Sequence, residues 1–533
     1  MSKSRTLSIG TVIVVITLLL SSCGTAAMPA SPTQIPTPQV TPTENPSLPL
    51  NPEKLALFES YAAGAMQQAQ IPGMSIAIVQ NGETIYLKGF GVRELGKPDP
   101  VTPGTLFMLA SSSKPLTTLM MATVVDDGLM RWDSPVTSIL PGFEVGDLEL
   151  TRSLTMQQLV CACSGIQPNE TVYFFSGFPS AAAMIHSLKD IPPIAKPGEK
   201  YLYSNPVFSA GGFIAGLAAG GPADDLDAGY AAAMQTRVFD PIGMTSTTLS
   251  RDCVQTSNNY ARPHGTDLAD EYQALPLAAE NSVLEILPAG GIWSSAEDVS
   301  RLMITLLNRG VTPDGTRVVS AKNLEKVWEP QIETNEDPQS SSYALGWMIG
   351  SYQGERLVHH SGNSMGFSTD LVLVPEANLG IVILTNAESA TNFTNAIRQR
   401  FLELVFDQPM QYDTDFQSEL KESRTRVLTF ASKLELGVDE QTFAPYLGRF
   451  FNPELGEISI RIESGRLIVQ AGGFTSELRR YAGLGTPEYF LSDPPLATLA
   501  FWYFQFEMDN DDHPTVLLYE TQIPFHFVFE KQE

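Results

Sequence analysis

The sequence predicts an α+β protein: an antiparallel sheet flanked by helices, with a helical region inserted into it, followed by an antiparallel β-barrel-like domain. Three observations predict it. Two short apolar runs, Met74–Gln80 and Thr84–Phe90, enclose Asn81-Gly82, and Asn-Gly between alternating apolar residues is the strongest short hairpin signal. A second pair of runs, Phe367–Val374 and Leu379–Leu384, comes late in the chain around Pro375-Glu376-Ala377-Asn378. Mostly helical periodicity and Gly/Pro loops lie between the pairs, so one sheet draws on both ends of the segment. Beyond about residue 440 regular short alternating runs take over, the pattern of a separate barrel or sandwich.

The elements follow in chain order. Lys3 and Arg5 precede an apolar run from Leu7 to Leu20, shorter than the ~20 residues of a spanning helix, which reads as a signal peptide over residues 1–22. Leu20-Ser21-Ser22-Cys23-Gly24 resembles the bacterial lipobox, which implies Cys23 as a lipidated mature N-terminus and an extracytoplasmic, membrane-anchored protein; a plain secretory signal with a chance cysteine is the other reading. Residues 23–51 carry Pro29, Pro32, Pro36, Pro38, Pro42, Pro46 and Pro49 with hardly any aromatic or charged side chain, so burial cannot offset ordering entropy and an extended tether is expected. A helical period through Leu55, Phe58, Tyr61 and Met66 opens the first body, residues 52–410, and a helix from about Thr391 to Val405 closes it. Residues 411–439 turn charged and polar and mark a linker. The second body, 440–533, holds the runs Tyr446–Phe451, Ile458–Ile462, Leu467–Gln470, Ala500–Met508 and Thr515–Tyr519, with Asp509–Asp512 as a solvated turn rather than a calcium loop.

Composition bounds the function. The chain has 533 residues, 33 basic against 59 acidic side chains and a formal charge of −26. Loss of residues 1–22 removes Lys3 and Arg5 and no acid, so the mature chain is more negative still. Such a field disfavours phosphate backbones, so no nucleic-acid partner is expected. Four cysteines exclude a disulfide-built scaffold.

The chemistry sits in three short motifs. Ser111-Ser112-Ser113-Lys114 enters an apolar helical pattern, and Ser-x-x-Lys at a helix start puts hydroxyl and amine on one face, where the amine eases deprotonation of the serine. Alone it reads better as an N-capping serine cluster. Tyr203-Ser204-Asn205 follows the Pro197-Gly198 turn, and His360-Ser361-Gly362 precedes the Phe367–Val374 run. In this order the three resemble the motifs of the penicillin-recognising serine hydrolases: class C β-lactamases, DD-peptidases, D-aminopeptidases and family VIII esterases. Ser164-Gly165, Pro288-Ala289-Gly290-Gly291, Gly366-Phe367-Ser368 and Thr385-Asn386 extend the likeness over roughly residues 52–405.

The resemblance implies a β-lactamase/transpeptidase-like domain without cofactor or metal. It implies Ser111 as acylated nucleophile, Lys114 and Tyr203 sharing its proton, Asn205 binding the lysine and a substrate oxygen, and an oxyanion hole from the N–H groups of Ser111 and of Asn363, the residue after Gly362. Two departures qualify it. His360 stands where β-lactamases and DD-peptidases usually carry lysine, and histidine is largely neutral at pH 7 unless partnered. Leu159-Val160-Cys161-Ala162-Cys163 replaces the usual His-Thr before Ser164-Gly165; buried inert thiols are expected there, a disulfide to Cys253 being the alternative. His359 is read as a packing neighbour pointing away from His360.

The expected function is therefore an extracytoplasmic serine hydrolase of small esters or D-amino-acid peptides, with a class C-like β-lactamase or DD-carboxypeptidase as the alternative within the enzyme class. A catalytically lapsed envelope-binding module is the alternative outside it. Expected partners are a small ester, peptide or β-lactam substrate and the membrane through the lipid anchor. The second body, which resembles the lipocalin-like domains of some relatives, is expected to be a structural cover.

Overall fold

The computed structural model describes residues 50–532 apart from 172–174, 176–179, 335–338, 473, 484, 498–501 and 521–525. The expected signal segment, Cys23 and the tether up to residue 49 lie outside the described residues.

Helix α1 (Pro52–Gln68) starts at Asn51, whose side chain accepts from the Lys54 N–H at 2.9 Å, with proline at the first helical position. The Asn81-Gly82 turn then joins strands β1 (Gly73–Gln80) and β2 (Glu83–Gly91). The remaining strands of the sheet come late: β3 (Ile332–Glu333), β4 (Ser340–Tyr343), β5 (Met348–Tyr352), β6 (Glu355–Asn363), β7 (Ser368–Val374) and β8 (Leu379–Thr385). All pair antiparallel in the order β2-β1-β8-β7-β6-β5-β4-β3, so the two ends of the segment meet where β1 lies against β8.

Both faces of this sheet are covered, and alternation assigns each side chain to one of two cores. Ile76, Ile78, Ile381 and Ile383 pack with Phe58 of α1 and with Phe393, Ile397 and Phe401 of the helix Thr391–Val405. Ala77, Val79, Val382 and Leu384 face the larger core, which continues into the inserted helical region. That region contains α2 (Lys114–Asp126), α3 (Asn205–Ala218) and α4 (Ala296–Leu307). The helix Thr391–Val405 is α5, and the stretch expected as a linker is a helix, α6 (Tyr412–Ala431). It is pinned at its start by the Arg400–Asp413 ion pair at 2.6 Å and at its end by Phe430 against Phe490.

The second body is an antiparallel barrel. Strands β9 (Leu434–Glu435), β10 (Gly448–Asn452), β11 (Gly456–Glu463), β12 (Arg466–Ala471), β13 (Phe474–Tyr481), β14 (Tyr489–Leu491), β15 (Trp502–Met508), β16 (Pro514–Glu520) and β17 (His526–Lys531) run β9-β13-β12-β11-β10-β17-β16-β15-β14, and pairing of β13 with β14 closes the ring. Closure removes the open edges that a nine-stranded sheet would expose. Asp509–Asp512 forms the β15–β16 turn, with the Asp509 carboxylate accepting from the Asp511 and His513 amides. The barrel core is not built from barrel residues alone. Phe175, from the inserted region, is buried in it, edge-on to Phe474 and Trp502 at 5.3 and 5.5 Å.

Candidate active site

The chain enters the site through a forced turn. Ala110 has φ of +47°, a left-handed conformation that costs a residue with a Cβ about 1–3 kcal/mol and persists only where its surroundings impose it. They do so by hydrogen bonds on both sides: Leu109 N–H donates to Ile292 O at 2.8 Å, and Thr369 Oγ1 of β7 donates to Leu109 O at 2.8 Å. The next residues, Ala110–Ser113, form a single 3₁₀ turn that continues into α2. Ser112 donates to His360 O at 2.9 Å, and Ser113 Oγ accepts from Ile292 N–H at 3.2 Å. Two members of the serine cluster are thus structural, while Ser111 Oγ is left to face Lys114 and Tyr203.

Lys114 is 1 % exposed, and its Nζ lies 3.0 Å from Ser111 Oγ, 2.7 Å from Asn205 Oδ1 and 2.9 Å from Ala289 O. Burial disfavours the ammonium and lowers its pKa to about 7, against a partial opposing pull from Glu170. Two of the three contacts are acceptors that take N–H bonds. As a neutral amine, Lys114 therefore turns its lone pair to the third contact, the Ser111 hydroxyl. Tyr203 OH is 3.0 Å from Ser111 Oγ on another side, and Nζ sits 4.7 Å from the centre of the Tyr203 ring. Asn205 begins α3 with Ser204 as its cap, which places the Tyr-x-Asn motif at a helix start.

Glu170 is a site residue that sequence reasoning missed. Its carboxylate accepts from Asn205 N–H at 3.0 Å and from Asn205 Nδ2 at 2.7 Å. A carboxylate can only accept, so it forces the Asn205 amide to turn its oxygen to Lys114. Burial raises the Glu170 pKa, opposed by the two Asn205 bonds and the Lys114 charge. No local motif marks Glu170; it reaches the site only by tertiary contact.

Gly362 brings β6 against the serine turn. A Cβ there would lie 2.3 Å from Leu109 O and 2.9 Å from Ser111 N, so only glycine allows the approach. The side chain of the following Asn363 is held by Ser368 Oγ, which donates to Asn363 Oδ1 at 2.8 Å. His360 is buried, its ring centre 6.3 Å from that of Tyr203, with Nε2 3.0 Å from Tyr343 OH and Nδ1 2.7 Å from Ser361 O. Burial first, then the Lys114 charge, lowers its pKa to about 3, so it is neutral at pH 7. His359 points to the opposite face, where it meets Ser340 Oγ at 2.7 Å and Arg398 Nη1 at 3.1 Å.

The cysteine expectation is overturned. Cys161 and Cys163 are bonded to each other, with Cα atoms 5.1 Å apart, and Cys253 is a free, exposed thiol. Ala162 between them has φ of +51°, which folds the backbone sharply enough to bring the two sulfurs together. The loop also matters to the site, because Ala162 O accepts from Leu202 N–H at 2.8 Å, next to Tyr203.

In front of Ser111 lies a cavity of about 350 Å³, bounded by Asn205, Val283, Ile286, Asn363 and Met365 among others. Glu388 is among its lining residues, its carboxylate accepting from the Thr266 N–H and hydroxyl at 2.6 Å each, and the described lining contains no lysine, arginine or histidine.

Residues 58–404 match the beta-lactamase family. Among curated relatives, the unguisins hydrolase ungD' of Aspergillus campestris (strain IBT 28561) is 25 % identical over 461 residues, 81 % of this chain and 82 % of its own. Penicillin-binding protein 4 of Amycolatopsis lactamdurans is 29 % identical over 63 % of this chain and 86 % of its own, and protein flp of Staphylococcus aureus (strain COL) is 27 % identical over 61 % of each. An octameric penicillin-binding protein homologue from Pyrococcus abyssi shares the fold, with a TM-score of 0.59 and 20 % identity over 89 % of this chain and all of that one.

Proposed function

The chain belongs to the beta-lactamase family of serine hydrolases, and from that premise we propose that it cleaves small uncharged esters or D-amino-acid amides through an acyl-enzyme on Ser111. Lys114 takes the Ser111 proton as the hydroxyl attacks the carbonyl, and Tyr203 relays it to the departing alcohol or amine. The N–H groups of Ser111 and Asn363 receive the negative charge of the tetrahedral intermediate, and the close approach at Gly362 keeps the two within reach of one oxygen. Asn205, oriented by Glu170, holds Lys114 and hydrogen-bonds the substrate. His360 acts through its neighbours as a positioning residue. Water then attacks the acyl carbonyl and releases Ser111.

One observation carries the choice of substrate: the cavity lining brings an acid and no cation, and His360 is neutral. Among the described residues a carboxylate-bearing substrate finds no cationic partner there beyond the buried Lys114. Similarity to a penicillin-binding protein favours a second reading, a class C-like β-lactamase or DD-carboxypeptidase that turns over β-lactams. A panel of p-nitrophenyl esters, D-amino-acid p-nitroanilides and a chromogenic cephalosporin, run beside Ser111→Ala, tests both. The first reading expects ester or D-anilide turnover lost in the variant; cephalosporin turnover faster than either overturns it in favour of the second. We place the protein outside the cytoplasm, tethered by lipid on Cys23, on the strength of the Lys3/Arg5, apolar and Cys23 succession. Cys23→Ala should then move it from the membrane to the soluble fraction of its host, and an unmodified Cys23 in the mature protein rejects the tether.

A further inference from the structure

A second cavity, of about 190 Å³, opens between the segment 275–285 of the inserted region and the barrel, and it shares Ser282 and Met365 with the cavity in front of Ser111. Its walls are mainly apolar: Leu275, Ala279 and Met365 on one side, Phe474, Pro495 and Leu496 on the other. We propose that this cavity is a substrate subsite, in which the barrel supplies one wall and an apolar group of the molecule acylating Ser111 is bound. The proposal rests on the serine-hydrolase reading above and names the substrate class it takes: esters or amides carrying an aliphatic chain or aromatic ring.

Three features support a built site rather than a gap between bodies. The barrel wall is fixed, because Phe175 fills the barrel core edge-on to Phe474, Trp502 Nε1 donates to Thr171 Oγ1 at 3.1 Å, and the Thr171 hydroxyl bonds Glu520. Gly265 approaches so near that an added Cβ would lie 2.9 Å from Pro495 Cα, which holds the Pro494-Pro495 wall against the inserted region. The residues common to the two cavities are held as well. Ser364, beside Met365, donates to Glu280 Oε1 at 3.1 Å and so ties the Met365 loop to the segment carrying Ala279 and Ser282. A hydrocarbon group laid on the apolar part of these walls is removed from water, which favours its binding.

The test is chain-length dependence in two series: p-nitrophenyl alkanoates, which vary the acyl side, and acetate esters of linear alcohols, which vary the leaving side. Burial of each added methylene should raise kcat/KM about three- to fourfold until the cavity is full, in whichever series reaches it. Thr475→Trp, an exposed barrel position on the rim, and Ala279→Phe, on the opposite wall, should each abolish that rise, read as the ratio of hexyl- to acetyl-length kcat/KM. Acetate turnover that depends on Ser111 but stays flat along both series overturns the subsite alone. A rise that survives both filling variants also overturns it. Absence of Ser111-dependent turnover of every ester and every D-amino-acid anilide overturns the underlying reading and the subsite with it, whereas anilide turnover without any ester turnover overturns the subsite's ester class alone.

Discussion

Replacing Glu170 with glutamine tests whether the carboxylate behind Asn205 sets the protonation of Lys114. Asn205 Nδ2 lies 2.7 Å from Glu170 Oε2 and Asn205 Oδ1 lies 2.7 Å from Lys114 Nζ, so carboxylate and amine stand one amide apart. At a separation of roughly 6 Å, two unit charges interact by about 0.7 kcal/mol in water and about 2.8 kcal/mol at an effective dielectric of about 20. That range corresponds to about half to two pH units. The carboxylate favours the ammonium, so Glu170→Gln takes the Lys114 pKa below its value of about 7. If Lys114 must be neutral to accept the Ser111 proton, the acidic limb of kcat/KM, which reports the free enzyme, moves to lower pH by the same amount. The plateau should also fall, by about tenfold, because the glutamine amide has one acceptor for two Asn205 donors, so its NH2 group must oppose either the Asn205 N–H or Nδ2, which loosens the hold on Lys114. The assay is kcat/KM for p-nitrophenyl acetate between pH 4.5 and 9 at constant ionic strength. An acidic limb that stays in place, or moves to higher pH, would falsify the assignment of Lys114 as the titrating base under Glu170 control.

Other outcomes follow from the same geometry. Gly362→Ala must displace β6 or the serine turn, since its Cβ would meet Leu109 O at 2.3 Å; kcat/KM should drop about 100-fold, and a loss under fivefold in steady-state assays argues against the close approach. Folded His360 has a pKa of about 3 against about 6.5 unfolded, so the unfolded chain binds more protons between those values and stability falls as pH drops through that window. Between pH 7 and pH 5 this group should contribute a loss of about 2 kcal/mol, to which His264, whose pKa burial lowers to about 4, adds in the same direction; urea unfolding measures the sum, and a stability independent of pH there contradicts neutral buried rings. A chain beginning at residue 50 should react with one equivalent of a thiol reagent when denatured without reductant and three after reduction; three equivalents from the outset rule out the Cys161–Cys163 bond.

What the sequence disclosed and what it hid divide along contact range. The hairpin at Asn81-Gly82, the late strand pair and the helix Thr391–Val405 were legible because each is specified by residues adjacent in the chain. So were Ser111, Lys114, Tyr203 and Asn205, whose spacing within each motif carries the chemistry and which the fold brings together around Ser111 Oγ. Glu170, Tyr343 at the end of the short strand β4 and the Ala289 carbonyl were not legible in these roles, because nothing in their local sequence places them beside Lys114 or His360 and only tertiary contact brings them there. The pairing of Cys161 with Cys163 depends on the left-handed backbone at Ala162, an alanine, which sequence gives no reason to expect there. Residues 411–439 looked like a linker because Phe416 alone among the residues of α6 is buried; an apolar stripe is the signal a helix usually shows, and α6 has almost none. Strand β13 was hidden for a related reason, since Arg479 and Arg480 interrupt its alternation, and Glu477, beside the inward Leu478, is buried on the other face under Arg466 and Arg479.

The histidine at the third motif and the low Lys114 pKa are two sides of one electrostatic arrangement. A lysine at 360 would place a second ammonium in a fully buried position beside Lys114, where the charge of Lys114 already helps depress the His360 pKa to about 3. Two buried ammonium groups would each hold the other's pKa down, and neither would serve as a standing anchor for a substrate carboxylate without a further anion. With a neutral imidazole there, bonded to Tyr343 OH and packed against Tyr203, the site keeps one titrating cation and one carboxylate, Glu170, that tunes it through Asn205. Such a site gives up the electrostatic grip on an anionic substrate. Binding energy must then come from elsewhere, and the apolar walls that continue from Met365 to Phe474 and Leu496 of the barrel are where this molecule offers it.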